Sequence, residues 1–130
     1  MKLSIAVHGA PYSSQSSSTA VKFAAAALVA GHEIYRVFFY HDGARTPDSL
    51  AVTPQDEKSV LDRWLALKQI HDFELTVCIG AALKRGMLNA EESQRYDKAA
   101  ANVSAEFEVV GLGQLIDAIM ISDRFVTFAA

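Results

Sequence analysis

Apolar positions along the chain fall into short runs divided by polar stretches, and the runs are of two kinds. Lys2 to Val7 (KLSIAV), His32 to Tyr40 (HEIYRVFFY), Phe73 to Cys78 (FELTVC), Phe107 to Gly111 (FEVVG) and Arg124 to Phe128 (RFVTF) are dense in β-branched and aromatic residues. They predict strands, the second of them buried. Between them the spacing turns helical. An alanine-rich segment from about Thr19 to Ala30 stops at Gly31, which suits a helix C′ position, and the serines of APYSSQSSSTA can cap its start. Thr53-Pro54-Gln55-Asp56 reads as a helix start leading to an apolar face of Val60, Leu61, Trp64, Leu65 and Leu67. A short helix from Ala81 to Arg85 ends at Gly86, and Asn89 with Glu92 starts another, carrying EESQRYDKAA. Leu112, Leu115, Ile116, Ile119 and Met120 recur at helical spacing and predict the last helix.

Strands alternating with helices predict an α/β fold: a three-layer α/β/α sandwich around a mostly parallel five-stranded sheet. A chain of 130 residues without repeat or linker is read as one domain, residues 1–130. Strand order does not follow from the pattern.

Composition narrows the function classes. Apolar residues make up 51% and charged ones 21%, which excludes a disordered chain, and a net charge of −3 gives no general attraction for nucleic-acid phosphates. No apolar run approaches the roughly 20 residues that cross a bilayer. The opening MKLSIAVHGAPYSS reads as a first strand rather than an export signal. A single cysteine suits a reducing compartment, so a cytoplasmic protein is expected.

In an open parallel sheet, reactive groups gather beyond the carboxyl ends of the strands. Five segments qualify: HGAPYSSQSSS with Tyr12, YHDGARTP with His41, the Cys78-Ile79-Gly80 junction, the Gly111 turn and the chain terminus. Cys78 stands where a strand becomes a helix. Free thiols titrate near 8.5, so about 3% is thiolate at pH 7, and the unpaired N–H groups of a helix start favour the anion. Lys84 and Arg85 follow with positive charge. Free cysteine is also among the most buried residue types and packs as a small hydrophobe, and local sequence leaves both readings open. His41-Asp42 could assist proton transfer or be a solvated turn. The Ser-rich loop could cradle a phosphate but lacks the glycines for it, so capping is expected. His8, His32, His41 and His71 with one Cys show no metal-ligand spacing, and no metal is expected. A phosphorelay receiver domain is excluded, because Cys78 occupies the end of the third strand where the phosphoacceptor Asp would stand.

GHEIYRVFFYHDG, PQDE leading into the Trp64 helix, VCIGAALKRGM and GLGQL followed by SDRFVTF occur in an order and spacing that resemble the DsrE/TusD family of sulfur-relay proteins, most like the TusD type. The resemblance runs from the first strand to the last. It implies a sulfurtransferase subunit whose cysteine within VC-x-x-AA-x-x-RG, here Cys78, accepts a sulfane sulfur as a persulfide and passes it on. It implies a heterohexamer with two homologous sister subunits (TusB- and TusC-like), a TusA-like donor and a TusE-like, DsrC-related acceptor, with no cofactor. In the TusD branch the sulfur ends in 2-thiouridine at the tRNA wobble position; in the DsrE branch it serves dissimilatory sulfur oxidation. FFYHDG resembles the DsrE motif as much as the TusD one, and Val110 stands where Ser is common before GLG, so the branch stays open. Tyr12, His41, Lys84 and Arg85 are the side chains expected to support Cys78.

Overall fold

The computed structural model describes residues Met1–Ala130. Its five strands are β1 (Lys2–Val7), β2 (Glu33–Phe39), β3 (Glu74–Cys78), β4 (Phe107–Val110) and β5 (Arg124–Phe128), in the order β4-β3-β2-β1-β5. Every neighbouring pair is parallel, so the expected α/β class holds with a sheet that is parallel throughout. The helices are α1 (Gln15–Val29), α2 (Val60–Ile70), α3 (Ile79–Lys84), α4 (Ala90–Arg95) and α5 (Gly113–Ile121), with a 3-10 turn at His41–Arg45.

Parallel crossovers are right-handed, and that rule assigns the layers. From β1 to β4 the chain steps across the sheet in one direction, placing α1, α2 and the α3–α4 segment on one face. From β4 it must return past β3, β2 and β1 to reach β5, so α5 lies on the opposite face. The first face holds most of the core: Ile5, Val7, Val37 and Phe39 meet the alanine face of α1 and the fully buried Trp64 of α2. Trp64 stands edge-on to Phe39 with ring centroids 5.5 Å apart, and Phe39 also packs on Phe107.

The second face is thinner and more polar. Ile34 is level with Leu3 but Arg36 with Ser4, which leaves Tyr35 as an extra, bulged residue. The bulge lets two successive side chains address one carboxylate on α5. The Tyr35 hydroxyl donates to Asp117 Oδ2 at 2.6 Å, and Arg36 Nη1 donates to the same oxygen at 2.8 Å. Arg36, itself 4% exposed, also donates from Nε to Glu74 at 2.6 Å and from Nη1 to the Gln114 carbonyl at 2.8 Å. Burial alone would lower the Arg36 pKa; its bonds to Asp117 and Glu74 outweigh this and raise it. The same bonds, Tyr35 first and then Arg36, hold the Asp117 carboxyl below its ordinary value. Ser4 and Ser122 hydroxyls, 2.6 Å apart, tie down the far end of α5.

Several boundaries differ from expectation. The helix around Trp64 does not begin at Thr53. The Thr53 hydroxyl donates to the Glu57 carbonyl and the Glu57 amide to the Pro54 carbonyl, closing a turn, and the helix starts at Val60, where the Ser59 side chain accepts from the Asp62 amide. The first helix starts at Gln15 rather than Thr19, capped by Ser14. α4 begins as expected, with Asn89 accepting from the Glu92 amide, but stops at Arg95, before a left-handed Asp97. The apolar stripe of α5 is real but faces the wrong way for a core: Ala118 is buried and Leu115 half-buried, whereas Leu112, Ile116, Ile119 and Met120 are exposed, Met120 by 77%.

Two measurements test this arrangement. Trp64→Ala empties the centre of the first face and should cost about 3–5 kcal/mol in urea unfolding. Because the folded pKa of Asp117 is depressed, its contribution is fully present above the ordinary value of 3.8 and is lost as pH falls below it. Asp117→Asn should therefore unfold more readily at neutral pH and show a weaker loss of stability on acidification; an acid profile identical to wild type would contradict the network.

Candidate functional site

β3 and β4 are neighbours, yet the chain leaves them towards opposite faces, through α3 in one case and through the Gly111 turn into α5 in the other. Strands that part this way leave a crevice beyond their carboxyl ends. An open cleft of about 450 Å³ lies there, lined by Cys78, Ile79, Gly80, Ala81, Lys84, Arg85, Gly111 and Leu112, together with Tyr40 and His41 from the end of β2.

Cys78 closes β3, level with Val110 of β4, and is itself the residue flanking the start of α3. The helix begins at Ile79, two residues earlier than the sequence pattern suggests, so the thiol stands at the strand–helix junction without capping it by a side-chain hydrogen bond. Cys78 is 5% exposed and packs with Val77, Ala81 and Ala82 in the core. A buried residue that also lines an open cleft forms its base, so the packing and the reactive readings of Cys78 describe the same position.

The turn after β2 is locked onto the end of β1. The Tyr40 amide donates to the Val7 carbonyl at 3.0 Å, and the Gly43 amide is shared between the His8 and Tyr40 carbonyls at 3.0 and 2.9 Å. A Cβ on Gly43 would collide with the Val7 carbonyl oxygen, so only glycine allows this approach. The lock sets His41 at φ 51°, a left-handed conformation rare for a side-chain-bearing residue. The His41 ring stacks on Tyr40 with centroids 4.1 Å apart, and His8 meets it edge-on at 4.8 Å. Burial, and then the proximity of His41, hold the His8 pKa below its ordinary value.

The two basic residues of α3 divide their work. Arg85 Nε donates to Asp42 Oδ1 at 2.9 Å and its Nη1 to the Ala81 carbonyl at 3.1 Å, fastening α3 to the turn. Lys84 lines the cleft with no hydrogen bond or ion pair of its own. Tyr12 is placed elsewhere. It takes φ 71°, and its hydroxyl accepts from the Val60 amide at 3.1 Å, joining the loop after β1 to the start of α2. It lines a neighbouring cleft of about 420 Å³ with Arg45, Thr46 and Asp48, which holds neither thiol nor imidazole. In the Ser-rich loop, Ser14 accepts from the Ser16 amide at 3.3 Å as a helix cap.

Of the expected site residues, then, Cys78, His41, Lys84 and Arg85 share one cleft and Tyr12 does not join them. Sequence reasoning overlooked Tyr40 and His8. A signal was present: His8 and Tyr40 each follow the last residue of a strand, and those ends, Val7 and Phe39, are register partners.

Comparison with known proteins gives a consistent picture. A family model described as the DsrE/DsrF-like family matches residues 1–128. A protein of Pseudomonas aeruginosa named sulfurtransferase TusD homolog is 44% identical over 98% of this chain and 97% of its own. The DsrE protein of Allochromatium vinosum is 41% identical over 98% of both chains, and a sulfurtransferase TusD of Photorhabdus laumondii is 36% identical over 94% of this chain and 93% of its own. Among solved structures, the ychN protein of E. coli superposes with a TM-score of 0.72 over 98% of this chain and 99% of its own; at 19% identity the likeness is one of fold.

The lock at Gly43 can be tested directly. Gly43→Ala should lower stability by about 1–3 kcal/mol, the usual cost of forcing an extra carbon into a packed site. In two-dimensional NMR the largest shifts should fall on His8, Tyr40 and His41; an unchanged melting temperature would contradict the contact.

Proposed function

The chain belongs to the DsrE/DsrF-like family, and from that premise we propose that it is a sulfur-relay sulfurtransferase subunit that carries sulfane sulfur as a persulfide on Cys78. The observation that carries the proposal is the place of the only cysteine, at the base of the crevice where β3 and β4 part.

The chemistry is an exchange without net oxidation. The Cys78 thiolate attacks the outer sulfur of a donor persulfide; the donor S–S bond breaks, its electron pair leaves on the donor thiolate, and a new S–S bond forms on Cys78. An acceptor thiolate then attacks the outer sulfur of the Cys78 persulfide in the same manner. With no second thiol in the chain, no internal disulfide can discharge the persulfide, so the sulfur leaves to another protein. Lys84, the uncommitted cation of the cleft, faces an anionic persulfide with favourable charge. No cofactor is needed.

In this reading the donor is a TusA-like protein and the acceptor a TusE/DsrC-like one, and the subunit works in a cytoplasmic heterohexamer with TusB- and TusC-like sisters. The sulfur ends in 2-thiouridine at the tRNA wobble position, with the RNA handled by a later protein, in keeping with a net charge of −3 here. A second reading, sulfur trafficking in sulfur oxidation, is favoured by the 41% identity to a DsrE protein. A third, a non-catalytic architectural subunit, is favoured by the burial of Cys78.

Incubation with a persulfidated donor should add one sulfur atom to the protein mass, and Cys78→Ser should abolish the gain; a Ser variant that still relays sulfur would end the proposal. Alkylation of Cys78 by iodoacetamide separates the architectural reading. A carrier thiol should be modified at a rate comparable to a free thiol and rising with pH, whereas a packed one should react only as fast as the fold opens.

A further inference from the structure

We propose that His41 is the proton-transfer group of the Cys78 cleft, taking the thiol proton as sulfur arrives and returning it to the departing thiolate. The inference rests on Cys78 being the sulfur carrier, and it adds the group that makes each exchange neutral overall.

The need follows from the position of the thiol. Cys78 lies at the base of its cleft, and a partner seated over the opening excludes water. No solvent base then remains beside the sulfur. Every exchange nevertheless moves one proton. A donor persulfide and the Cys78 thiol become a Cys78 persulfide and a donor thiol, so a proton must leave the attacking sulfur and another must reach the sulfur whose S–S bond breaks. One imidazole can do both, because a ring nitrogen can accept a proton and give it back.

The cleft offers one such group. His41 lines it together with Cys78, and is exposed, so its proton can exchange with solvent between turnovers. The other titratable and charged groups around it are otherwise disposed. Tyr40 is stacked flat against the ring. His8, from the end of β1, touches its edge, and burial, then His41 itself, holds the His8 pKa below its ordinary value. Asp42 is bonded to Arg85, which also donates to the Ala81 carbonyl. Lys84 lines the cleft without a hydrogen bond or ion pair to place its ammonium against the sulfur.

The backbone supplies an independent observation. A left-handed conformation is uncommon for a side-chain-bearing residue, and Gly bears it more readily. Here it is imposed on a histidine by the two bonds of the Gly43 amide and by the contact of Gly43 with Val7. Such strain is typically held where it aims a functional group. The consequence at this position is an imidazole whose ring is fixed between Tyr40 and His8 at the cleft wall.

His41→Asn tests the proposal, because Asn tolerates the left-handed turn and cannot carry the proton. The measurement is the rate of sulfur uptake from a persulfidated TusA-like donor protein, which covers the opening, followed by mass as a function of pH. At pH 7 the variant should be slower by about 10²-fold. The gap should close as pH rises and the thiol ionises without help. Equal rates and equal profiles for variant and wild type would overturn the role of His41 while leaving Cys78 in place. Uptake by Cys78→Ser would instead overturn the reading on which the proposal rests. His41→Gly, which relieves the strain, serves if Asn disturbs the turn. Should neither variant fold, the wild-type profile decides: an inflexion in the imidazole range supports the proposal, and a rate rising only through the thiol range overturns it.

Discussion

The far face of the sheet depends on one buried cation. Arg36 has lost its water, so it must be matched, and the matching groups come from two elements: Glu74 on β3 and Asp117 with the Gln114 carbonyl on α5. α5 has only Ala118 fully buried among its own side chains, too little apolar contact to hold a nine-residue helix by packing alone. The Arg36 network supplies the remainder. Because α5 begins just beyond Gly111 and Leu112, which line the Cys78 cleft, a bond at the middle of the sheet also determines whether the cleft has that wall.

Topology explains why the cleft opens at the end of β3. Any strand of a parallel sheet presents its carboxyl end to the same rim, but only where neighbouring connections diverge does the rim open. Here that place is between β3 and β4, since α5 must travel back across the other face to deliver β5 beyond β1. The lone cysteine is the last residue of the strand beside the opening. The thiol is packed on the sheet side and reached from the cleft.

Much of this was readable in the chain. Runs of β-branched and aromatic residues marked all five strands to within a residue or so, because buried parallel strands are apolar on both sides and stand out from amphipathic helices. Cys78 was placed at the rim by the same logic. What could not be read depends on contacts distant in sequence. The Tyr35 bulge is invisible to a period-two pattern, since it is defined by how β2 lies on β1. Thr53-Pro54 satisfies the local rules for a helix start, yet Ser59 is the cap used, and Ser59 with Asp62 three residues on was an equally legible signal. The stripe of α5 was correctly seen as periodic, but periodicity does not say whether the apolar side meets this chain's core. Tyr12 was assigned to the site because it follows β1, and it is drawn instead towards α2 by the Val60 amide.

That Tyr12 bond belongs to a wider pattern of ties between successive loops. The loop after β1 caps the helix after β2, the turn after β2 is hydrogen-bonded to the end of β1, and Arg85 joins the segment after β3 to that turn. The loops at this rim are therefore not independent flexible segments. Ordering a loose loop at an interface costs association free energy, about 0.5–1.5 kcal/mol for each immobilised side chain. A rim already stitched together in the free chain has met much of that cost in advance. Fast exchange between successive partners, each held only briefly, is the regime in which such a saving in entropy counts most.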